Sequence, residues 1–198
     1  MYLYGASGHG KVVAEIAELN GLEIKGFIDE NTEIHQVWDY PVLHEVPADV
    51  KSLFLSVGTN QSRKKIYQQF QKYSFPTLIH PNAFVSQRAI LGQGTVVMAS
   101  ATINPDTHIG NHVILNTNCS IDHECKIGDF VHISPNAALA GDVHIGEGTQ
   151  IGIGASVIQG IRIGKWAMIG AGAVIIHDVP DYAVVVGNPG RIIKWLKD

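Results

Sequence analysis

The tripeptide Asp122-His123-Glu124 is the strongest candidate for chemistry in this sequence, because it places an imidazole between two carboxylates. A neighbouring anion raises the basicity of a histidine and favours one of its tautomers. Such a histidine can act as a general base, taking a proton from an amine or a hydroxyl as that group attacks a carbonyl carbon. We predict that His123 is this base and that Glu124 supports it, either through a bend in the chain or through an intermediary such as Asn116.

Two further residues can complete this group. Gly141 follows His123 by eighteen residues, which is the length of one coil in the repeat described below, so we expect the two to be adjacent. Without a side chain, Gly141 can present its backbone N–H to a developing oxyanion. His132 lies between them in sequence and could hydrogen-bond the same carbonyl group. The predicted catalytic set is His123, Glu124, Asn116, His132 and Gly141.

A second set of candidate residues lies near the N-terminus, in the loop Gly5-Ala6-Ser7-Gly8-His9-Gly10 between a predicted strand and a predicted helix. Backbone N–H groups of such a loop, together with the helix N-terminus, can hold a phosphate. Two other predicted strands end at polar residues, and ligands collect beyond the carboxyl ends of parallel strands. We therefore predict a nucleotide site. Its predicted residues are Gly5, Ser7, Gly8, His9, Gly10, Asp29, Gly58, Asn60 and Arg63.

The catalytic candidates are positioned by a six-residue repeat that runs from Ile79 to Val174 through sixteen hexads without interruption. The first residue of every hexad is aliphatic and the fifth is nearly always small. A fixed short period indicates a solenoid, in which each unit buries its apolar face against the next. A period of six fits neither a helix nor a simple strand. It predicts short strands joined by turns, with the aliphatic residues pointing into a prism.

Glycine follows the aliphatic residue once in every eighteen residues, at Gly92, Gly110, Gly128, Gly146 and Gly164. Three hexads therefore form one coil of a triangular prism, and one corner always carries glycine. Because glycine adopts backbone angles that other residues resist, we predict that this corner requires such angles.

Residues 1–77 have a different pattern, in which apolar strands alternate with amphipathic helices, as in βαβ units around a small parallel sheet. Strands are predicted at Ile24–Asp29 and Ser52–Val57, and a helix at Arg63–Tyr73. The stretch Thr32–Asp49 contains two prolines and is predicted to be irregular. We divide the chain into domains at 1–77 and 78–198, and the C-terminal tail, from Ile192 to Lys197, is expected to cap the solenoid.

Composition excludes several classes of protein. The net charge of −4 argues against a nucleic-acid-binding protein, which usually carries a basic excess. No apolar run reaches the length that a membrane span needs, and no basic n-region of a secretory signal is present, so we expect a cytoplasmic protein. Cys119 and Cys125 fall at inward positions of the repeat. We interpret them as small core residues rather than as a disulfide or metal ligands.

Five segments of the chain resemble the family of sialic-acid O-acetyltransferases and UDP-4-amino-sugar N-acetyltransferases, and are most similar to its bacillosamine-pathway N-acetyltransferases. The resemblance covers essentially the whole chain. The segments that carry it are Tyr4 to Gly10, Gly58-Thr59-Asn60 with Arg63-Lys64-Lys65, Ile114 to Thr117, Asp122 to Cys125, and Gly187-Asn188-Pro189. One departure is Asp29-Glu30, where the family often has two aspartates.

This resemblance implies a left-handed parallel β-helix that forms a homotrimer, with acetyl-CoA in the groove between neighbouring β-helices and the UDP part of a sugar nucleotide on the N-terminal domain. It implies that His123 is the general base, that Glu124 supports it, that Asn116 and His132 line the active site, and that the Gly141 backbone binds the thioester carbonyl. Acetyl-CoA is then the co-substrate, without a metal. Its expected contacts are His132, Gly141, Gly152, Gly170 and Pro189.

Our lead hypothesis is therefore an acetyl-CoA-dependent N-acetyltransferase that acts on the 4-amino group of a UDP-linked deoxy-amino-sugar. O-acetylation of sialic acid or of another polysaccharide sugar is the alternative on the same scaffold. A zinc-dependent γ-type carbonic anhydrase is disfavoured, because its motif places two histidines five residues apart and no pair here has that spacing. A non-catalytic nucleotide-binding scaffold would leave the Asp122-His123-Glu124 cluster unexplained. An oxidoreductase would need more than half of a dinucleotide fold.

Overall fold

The computed structural model describes residues 1–196, so Lys197 at the end of the predicted tail lies outside the described part. The N-terminal region forms a five-stranded sheet in the order β3-β4-β2-β1-β5. Strands β4, β2, β1 and β5 are parallel, and β3 pairs antiparallel with β4. The elements are β1 (Tyr2–Tyr4), α1 (Gly8–Leu19), β2 (Gly26–Ile28), β3 (Gln36–Val37), β4 (Tyr40–Leu43), β5 (Leu53–Leu55) and α2 (Asn60–Phe70).

Two of our local predictions were wrong in this region. The stretch Thr32–Asp49 is not irregular throughout, because it contains β3 and β4, and Val42 pairs with Phe27 inside the sheet. Pro41 is tolerated at the start of this strand because it is not in its buried interior. Helix α2 covers Asn60–Phe70 instead of Arg63–Tyr73, since the chain turns into it directly after β5 and its loop.

The repeat forms two-residue strands at intervals of six residues. They are β6 (Leu78–Ile79), β7 (Phe84–Val85), β8 (Ile90–Leu91), β9 (Val96–Val97), β10 (Thr102–Ile103), β11 (His108–Ile109), β12 (Ile114–Leu115), β13 (Ser120–Ile121), β14 (Lys126–Ile127), β15 (His132–Ile133), β16 (Ala138–Leu139), β17 (His144–Ile145), β18 (Gln150–Ile151), β19 (Ser156–Val157), β20 (Arg162–Ile163), β21 (Met168–Ile169) and β22 (Val174–Ile175). The chain ends in β23 (Ala183–Val186) and β24 (Arg191–Trp195).

Every third strand belongs to the same face, so the solenoid is a prism with three parallel sheets. One face has six strands (β7 to β22), one has five (β8 to β20), and one has eight (β6 to β21, with β23 and β24 added). The aliphatic first residues and the small fifth residues point inward and form one continuous core, to which the buried free thiols of Cys119 and Cys125 belong. The predicted fold class, a Rossmann-like βαβ region followed by a left-handed parallel β-helix, is confirmed.

The glycine corner has a different physical cause from the one we predicted. Positive φ angles occur at the fourth residue of the hexads, for example at His112 (53°), Glu124 (62°) and Asp142 (55°), and not at the corner glycines. The corner glycines are needed because successive coils approach closely. A Cβ atom on Gly128 would lie 2.7 Å from the backbone nitrogen of Glu147.

The N-terminal region packs on the eight-stranded face of the β-helix. The outward residues Leu78, Val96 and Ile114 of the first three coils join the core around helix α1, where they pack with Val13 and Ala17. The other end of the same face is extended by β23 and β24, which pair antiparallel. No helix among residues 1–196 is long and apolar enough to cross a membrane.

Candidate functional site

His123 lies at the corner between the six-stranded and five-stranded faces, in the turn that joins β13 to β14. Its Nδ1 is 2.9 Å from Oε2 of Glu124, and both side chains are more than half exposed, at 56% and 64%. The left-handed backbone at Glu124 lets adjacent residues face each other, because it bends the chain out of the strand direction. The pairing is therefore direct, and the intermediary Asn116 that we considered is not part of it.

Gly141 lies in the equivalent turn one coil along, directly beside the His123 ring. A Cβ atom on Gly141 would lie 2.6 Å from Cε1 and 2.7 Å from Nε2 of His123. The absence of a side chain at Gly141 therefore makes room for the imidazole in this position. We call the group of His123, Glu124 and Gly141 the His123 corner.

Asn116 and His132 do not belong to the His123 corner. His132 is in β15 on the eight-stranded face, and this face lies opposite the corner between the other two faces in the triangular cross-section. Asn116 directly follows β12 on the same face, and its Nδ2 is 3.0 Å from Nε2 of His132. The predicted catalytic set is therefore divided within one chain into two groups on different sides of the prism.

His132 instead lines a pocket of about 680 Å³ between the N-terminal region and the β-helix, which we call the interdomain pocket. The N-termini of both helices meet there, through Ser7 and His9 at the start of α1 and Thr59 to Gln61 at the start of α2. Neither N-cap side chain makes a capping hydrogen bond, and neither first turn carries an acidic residue. The remaining lining residues are Val57, Gly58, Gly148, Gln150, Trp166, Ala167, Met168 and Leu196.

Two histidines face this pocket as neutral imidazoles. Burial, reinforced by the Arg63 cation, lowers the pKa of His9 to about 4. Burial lowers the pKa of His132 to about 3, with smaller contributions from Arg63 and His9. Nε2 of His9 is buried without a partner among the described residues. The pocket thus offers helix N-termini and uncharged ring nitrogens, an environment that suits an anionic group beside polar ligand atoms.

Several predicted nucleotide-binding residues shape the loop instead of pointing into the pocket. Gly5 has a φ of 115°, and a Cβ atom there would lie 2.7 Å from the Ser56 carbonyl oxygen. Gly10 is buried, and a Cβ atom there would collide with the Gly5 carbonyl oxygen, whereas a Cβ atom on Gly8 would meet open space. The Asp29 carboxylate accepts a hydrogen bond of 2.7 Å from the Ala6 amide and one of 2.9 Å from Asn31. Asp29 therefore holds the glycine-rich loop.

Arg63 is also not available to a substrate. Its side chain is only 1% exposed, and each of its guanidinium nitrogens donates to protein oxygens. Asn60 lines the pocket, but its amide donates to the Gly148 carbonyl at 3.0 Å. We predicted that Arg63 contacts the substrate directly. This prediction is corrected, because Arg63 instead joins the N-terminal region to the β-helix. A sequence pattern does not reveal this, because the acceptors in the β-helix are backbone carbonyls far away in sequence.

Two of the three glycines predicted to contact acetyl-CoA, Gly152 and Gly170, follow strands of the eight-stranded face, whereas Gly141 belongs to the His123 corner. Asn116, Ser134, Gly152 and Gly170 follow one another at intervals of eighteen residues, so they lie one coil apart along the same edge of the prism. A Cβ atom on Gly152 would lie 2.6 Å from the Gly170 carbonyl carbon, so the coils are tightly stacked there. Pro189 lies in the turn between β23 and β24 after a cis peptide bond.

Two features were missed from the sequence. Trp166 lines the interdomain pocket with its indole over Gly148, eighteen residues earlier, and Lys64 lies 5.2 Å above the ring centroid. The coil length could have identified this pair. A groove of about 810 Å³ also follows the five-stranded face, where Lys126, His144 and Arg162 stand in one column. Among residues 1–196, no group of three or more His, Cys, Asp or Glu side chains is arranged to hold a metal ion.

Comparison with known families gives matches to both parts of the chain. Residues 1–70 match the family profile described as PglD N-terminal domain. Residues 106–141 and 142–177 each match the profile of the bacterial transferase hexapeptide, six repeats.

Among curated proteins, the chain is 38% identical over 109 residues to UDP-N-acetylbacillosamine N-acetyltransferase of Bacillus subtilis, an alignment that covers 49% of this chain and 50% of that protein. It is 33% identical over 112 residues to an uncharacterized protein of Acanthamoeba polyphaga mimivirus, covering 54% of this chain and 23% of that one. The chain thus spans half or less of the length of these curated relatives.

Solved structures match over nearly the whole chain. The acetyltransferase domain of PglB from Neisseria gonorrhoeae is 40% identical with a TM-score of 0.91, and the match covers 97% of this chain and 98% of that one. PerB from Caulobacter crescentus, solved in complex with CoA and GDP-perosamine, is 35% identical with a TM-score of 0.93, over 98% of this chain and 96% of that one.

Proposed function

Because this chain belongs to the family of hexapeptide-repeat sugar N-acetyltransferases with a PglD-type N-terminal domain, we propose that it transfers the acetyl group of acetyl-CoA to the 4-amino group of a UDP-linked deoxy-amino-sugar. The observation that carries this proposal is the His123 corner, where an exposed imidazole is paired with Glu124 and lies against Gly141. In this proposal, residues 1–77 bind the sugar nucleotide and residues 78–198 bind acetyl-CoA.

His123 acts as the general base. Its Nε2 removes a proton from the sugar amine as the amine nitrogen attacks the thioester carbonyl carbon. The Glu124 carboxylate, 2.9 Å from Nδ1, fixes the tautomer that leaves Nε2 free and stabilises the imidazolium that forms. The backbone N–H of Gly141 stabilises the oxyanion of the tetrahedral intermediate, which collapses when the carbon–sulfur bond breaks and CoA leaves as the thiolate.

The interdomain pocket binds the sugar nucleotide. The N-termini of α1 and α2 converge there, so the positive ends of two helix dipoles can bind the two phosphates of a nucleoside diphosphate. Ser7 and Thr59, whose side chains make no capping hydrogen bond, remain available to those phosphates. The neutral imidazoles of His9 and His132 provide hydrogen-bonding groups for the sugar without adding charge.

The two groups are joined by assembly of a homotrimer. Within one chain, the His123 corner lies opposite the face that carries the interdomain pocket, so a single subunit does not bring base and sugar together. Three prisms side by side with C3 symmetry can place the corner of one subunit against the pocket of the next. Acetyl-CoA then lies in the groove between them, near Gly152, Gly170 and Pro189. Since acetyl-CoA and nucleotide sugars are cytoplasmic metabolites, we place the enzyme in the cytoplasm.

The test is thiol release from acetyl-CoA by the purified protein. UDP-linked 4-amino-4,6-dideoxy-N-acetylglucosamine, its galacto epimer and free sialic acid are offered in parallel. We expect release with one of the two UDP-sugars and a loss of roughly 100-fold or more in kcat for His123→Ala, the size expected for a general base. His35→Ala, which changes an exposed histidine in the N-terminal region, is the matched control. Release with sialic acid alone would instead assign the protein to O-acetylation.

A further inference from the structure

Arg63 is a fully buried cation that donates its hydrogen bonds to neutral oxygen atoms. Its Nε donates to the His112 carbonyl at 2.8 Å, and Nη1 donates to the carbonyls of Val57 at 2.9 Å and Gly58 at 3.1 Å. Its Nη2 donates to the Phe130 carbonyl at 2.8 Å and to Oδ1 of Asn60 at 3.0 Å. Burial lowers the pKa of the guanidinium to about 9, so it remains charged at neutral pH.

These acceptors come from three separate segments. Val57 and Gly58 lie in the loop between β5 and α2 and Asn60 is the first residue of α2, whereas His112 and Phe130 occupy the same corner of two successive coils of the β-helix. The planar guanidinium presents its donors in a fixed fork, so one side chain can hold three segments at defined distances. An ammonium group, with three donors on one nitrogen, cannot span them.

Both sides of the interdomain pocket depend on this fork. On one side, Gly58 and Asn60 line the pocket, and Asn60 in turn donates to the Gly148 carbonyl. On the other side, the carbonyls of Phe130 and Val131 immediately precede His132, and Nη2 of Arg63 lies 3.4 Å from the Val131 oxygen. A small displacement of Arg63 would therefore move the start of α2 relative to His132.

We propose that Arg63 is a positioning residue that fixes the loop at the start of α2 relative to the strand carrying His132, and so sets the width of the pocket that binds the sugar nucleotide. This inference rests on the proposed function of the pocket. Arg63 does not contact the substrate. It acts through Gly58, Asn60 and His132, which line the pocket.

The same cation acts on the histidines of the pocket. Besides burial, the charge of Arg63 lowers the pKa values of His9 and His132, and it also lowers the pKa of His112, which lies outside the pocket. Two other titratable groups act on these histidines: His9 lowers the pKa of His132, and Asp129 raises the pKa of His112. Removing the charge should therefore raise the pKa values of His9 and His132, whereas retaining a cation at this position should not.

The test uses two substitutions in the complete protein, Arg63→Lys and Arg63→Met, with Arg88→Lys as the control at an exposed arginine of the first coil. Binding of UDP and of the UDP-amino-sugar is measured by calorimetry, KM and kcat by thiol release, and histidine titration by NMR of ¹³C-labelled imidazoles. For Arg63→Lys we expect weaker binding of the UDP-sugar by roughly 10-fold, or about 1.4 kcal/mol. The KM for acetyl-CoA and the titration of His9 and His132 should change little.

For Arg63→Met we expect the same loss of binding together with higher titration midpoints of His9 and His132. If Arg63→Met does not fold, Arg63→Lys decides alone. Wild-type affinity in a folded Arg63→Lys protein would overturn the proposal, and so would an equal loss in Arg88→Lys. If the wild-type protein binds neither UDP nor the UDP-sugar, the proposed function fails and the role of Arg63 in it fails too. If the wild-type protein binds the UDP-sugar and Arg63→Lys binds it equally well, only the positioning role of Arg63 is rejected and the proposed function stands.

Discussion

The imidazole of His123 lies against Gly141 of the next coil, so close that a Cβ atom on Gly141 would be 2.7 Å from Nε2 of the histidine. The two residues are eighteen positions apart, which is one coil of the solenoid, and their turns are linked by a hydrogen bond of 2.9 Å from the Asp142 amide to the His123 carbonyl. The position of the proposed base therefore depends on the absence of a side chain in the neighbouring coil.

Gly141→Ala should displace the His123 ring and lower kcat by roughly 10- to 100-fold, because small misplacement of a catalytic group has effects of this size. The φ angle of Gly141 is not in the left-handed region, so alanine strains only the contact with the ring. Differential scanning calorimetry and thiol release are the measurements. In a His123→Ala background the substitution should cost almost no stability, since the ring is then gone. An equal loss of stability in both backgrounds would contradict this explanation.

Glu124→Gln should lower kcat by about 10-fold or more while leaving the KM for the UDP-sugar nearly unchanged, because the amide still accepts a hydrogen bond from Nδ1 but no longer stabilises the imidazolium with a charge. Both side chains are largely exposed, so the fold should be unaffected. Asp142→Asn, at the equivalent corner one coil along, is the matched control. Full activity of Glu124→Gln would remove Glu124 from the proposed mechanism.

Acid should destabilise the protein as the pH falls from about 6.5 towards 4. Burial lowers the pKa of His112, which stacks on Phe130 at 5.3 Å between ring centroids, to about 4. The unfolded chain binds a proton near pH 6.5 and the folded chain does not, so the free energy of unfolding falls by up to about 1.4 kcal/mol per pH unit for each such histidine. Above this range the group adds no pH dependence.

His112→Phe should reduce that slope between pH 6.5 and 4, because it removes one such proton. The same corner already carries Phe130 one coil along, so an aromatic ring is compatible with this backbone position. Urea denaturation at several pH values measures the slope, and His35→Ala, at an exposed position, is the control. A slope as steep as in the wild type would show that His112 is not responsible.

Mixed trimers should restore activity if base and pocket come from neighbouring subunits. His123→Ala and His132→Ala subunits carrying different affinity tags are co-expressed, and trimers that contain both are isolated. In each isolated mixed trimer about one of the three interfaces has both native groups, provided that each site is shared by two neighbouring subunits. Mixing His123→Ala with Glu124→Gln should restore nothing, because both changes affect the same corner. Absence of activity in the first mixture, or a monomeric mass by light scattering, would argue against the shared site.

The sequence by itself determined the solenoid and its register. In a β-helix the neighbours of a residue stand at a fixed offset along the chain, so the hexad and eighteen-residue periods were sufficient to predict the three faces, the inward aliphatic residues and the contact between His123 and Gly141. The direct pairing of His123 with Glu124 was left open, since it depends on the positive φ angle of Glu124.

Only the tertiary structure decided how the N-terminal region meets the β-helix. Those contacts join residues at no fixed spacing, such as Arg63 with Phe130 and Asn60 with Gly148, and many of their acceptors are backbone carbonyls, which no residue type reveals. For this reason Arg63 was predicted to contact substrate and proved to be buried between segments.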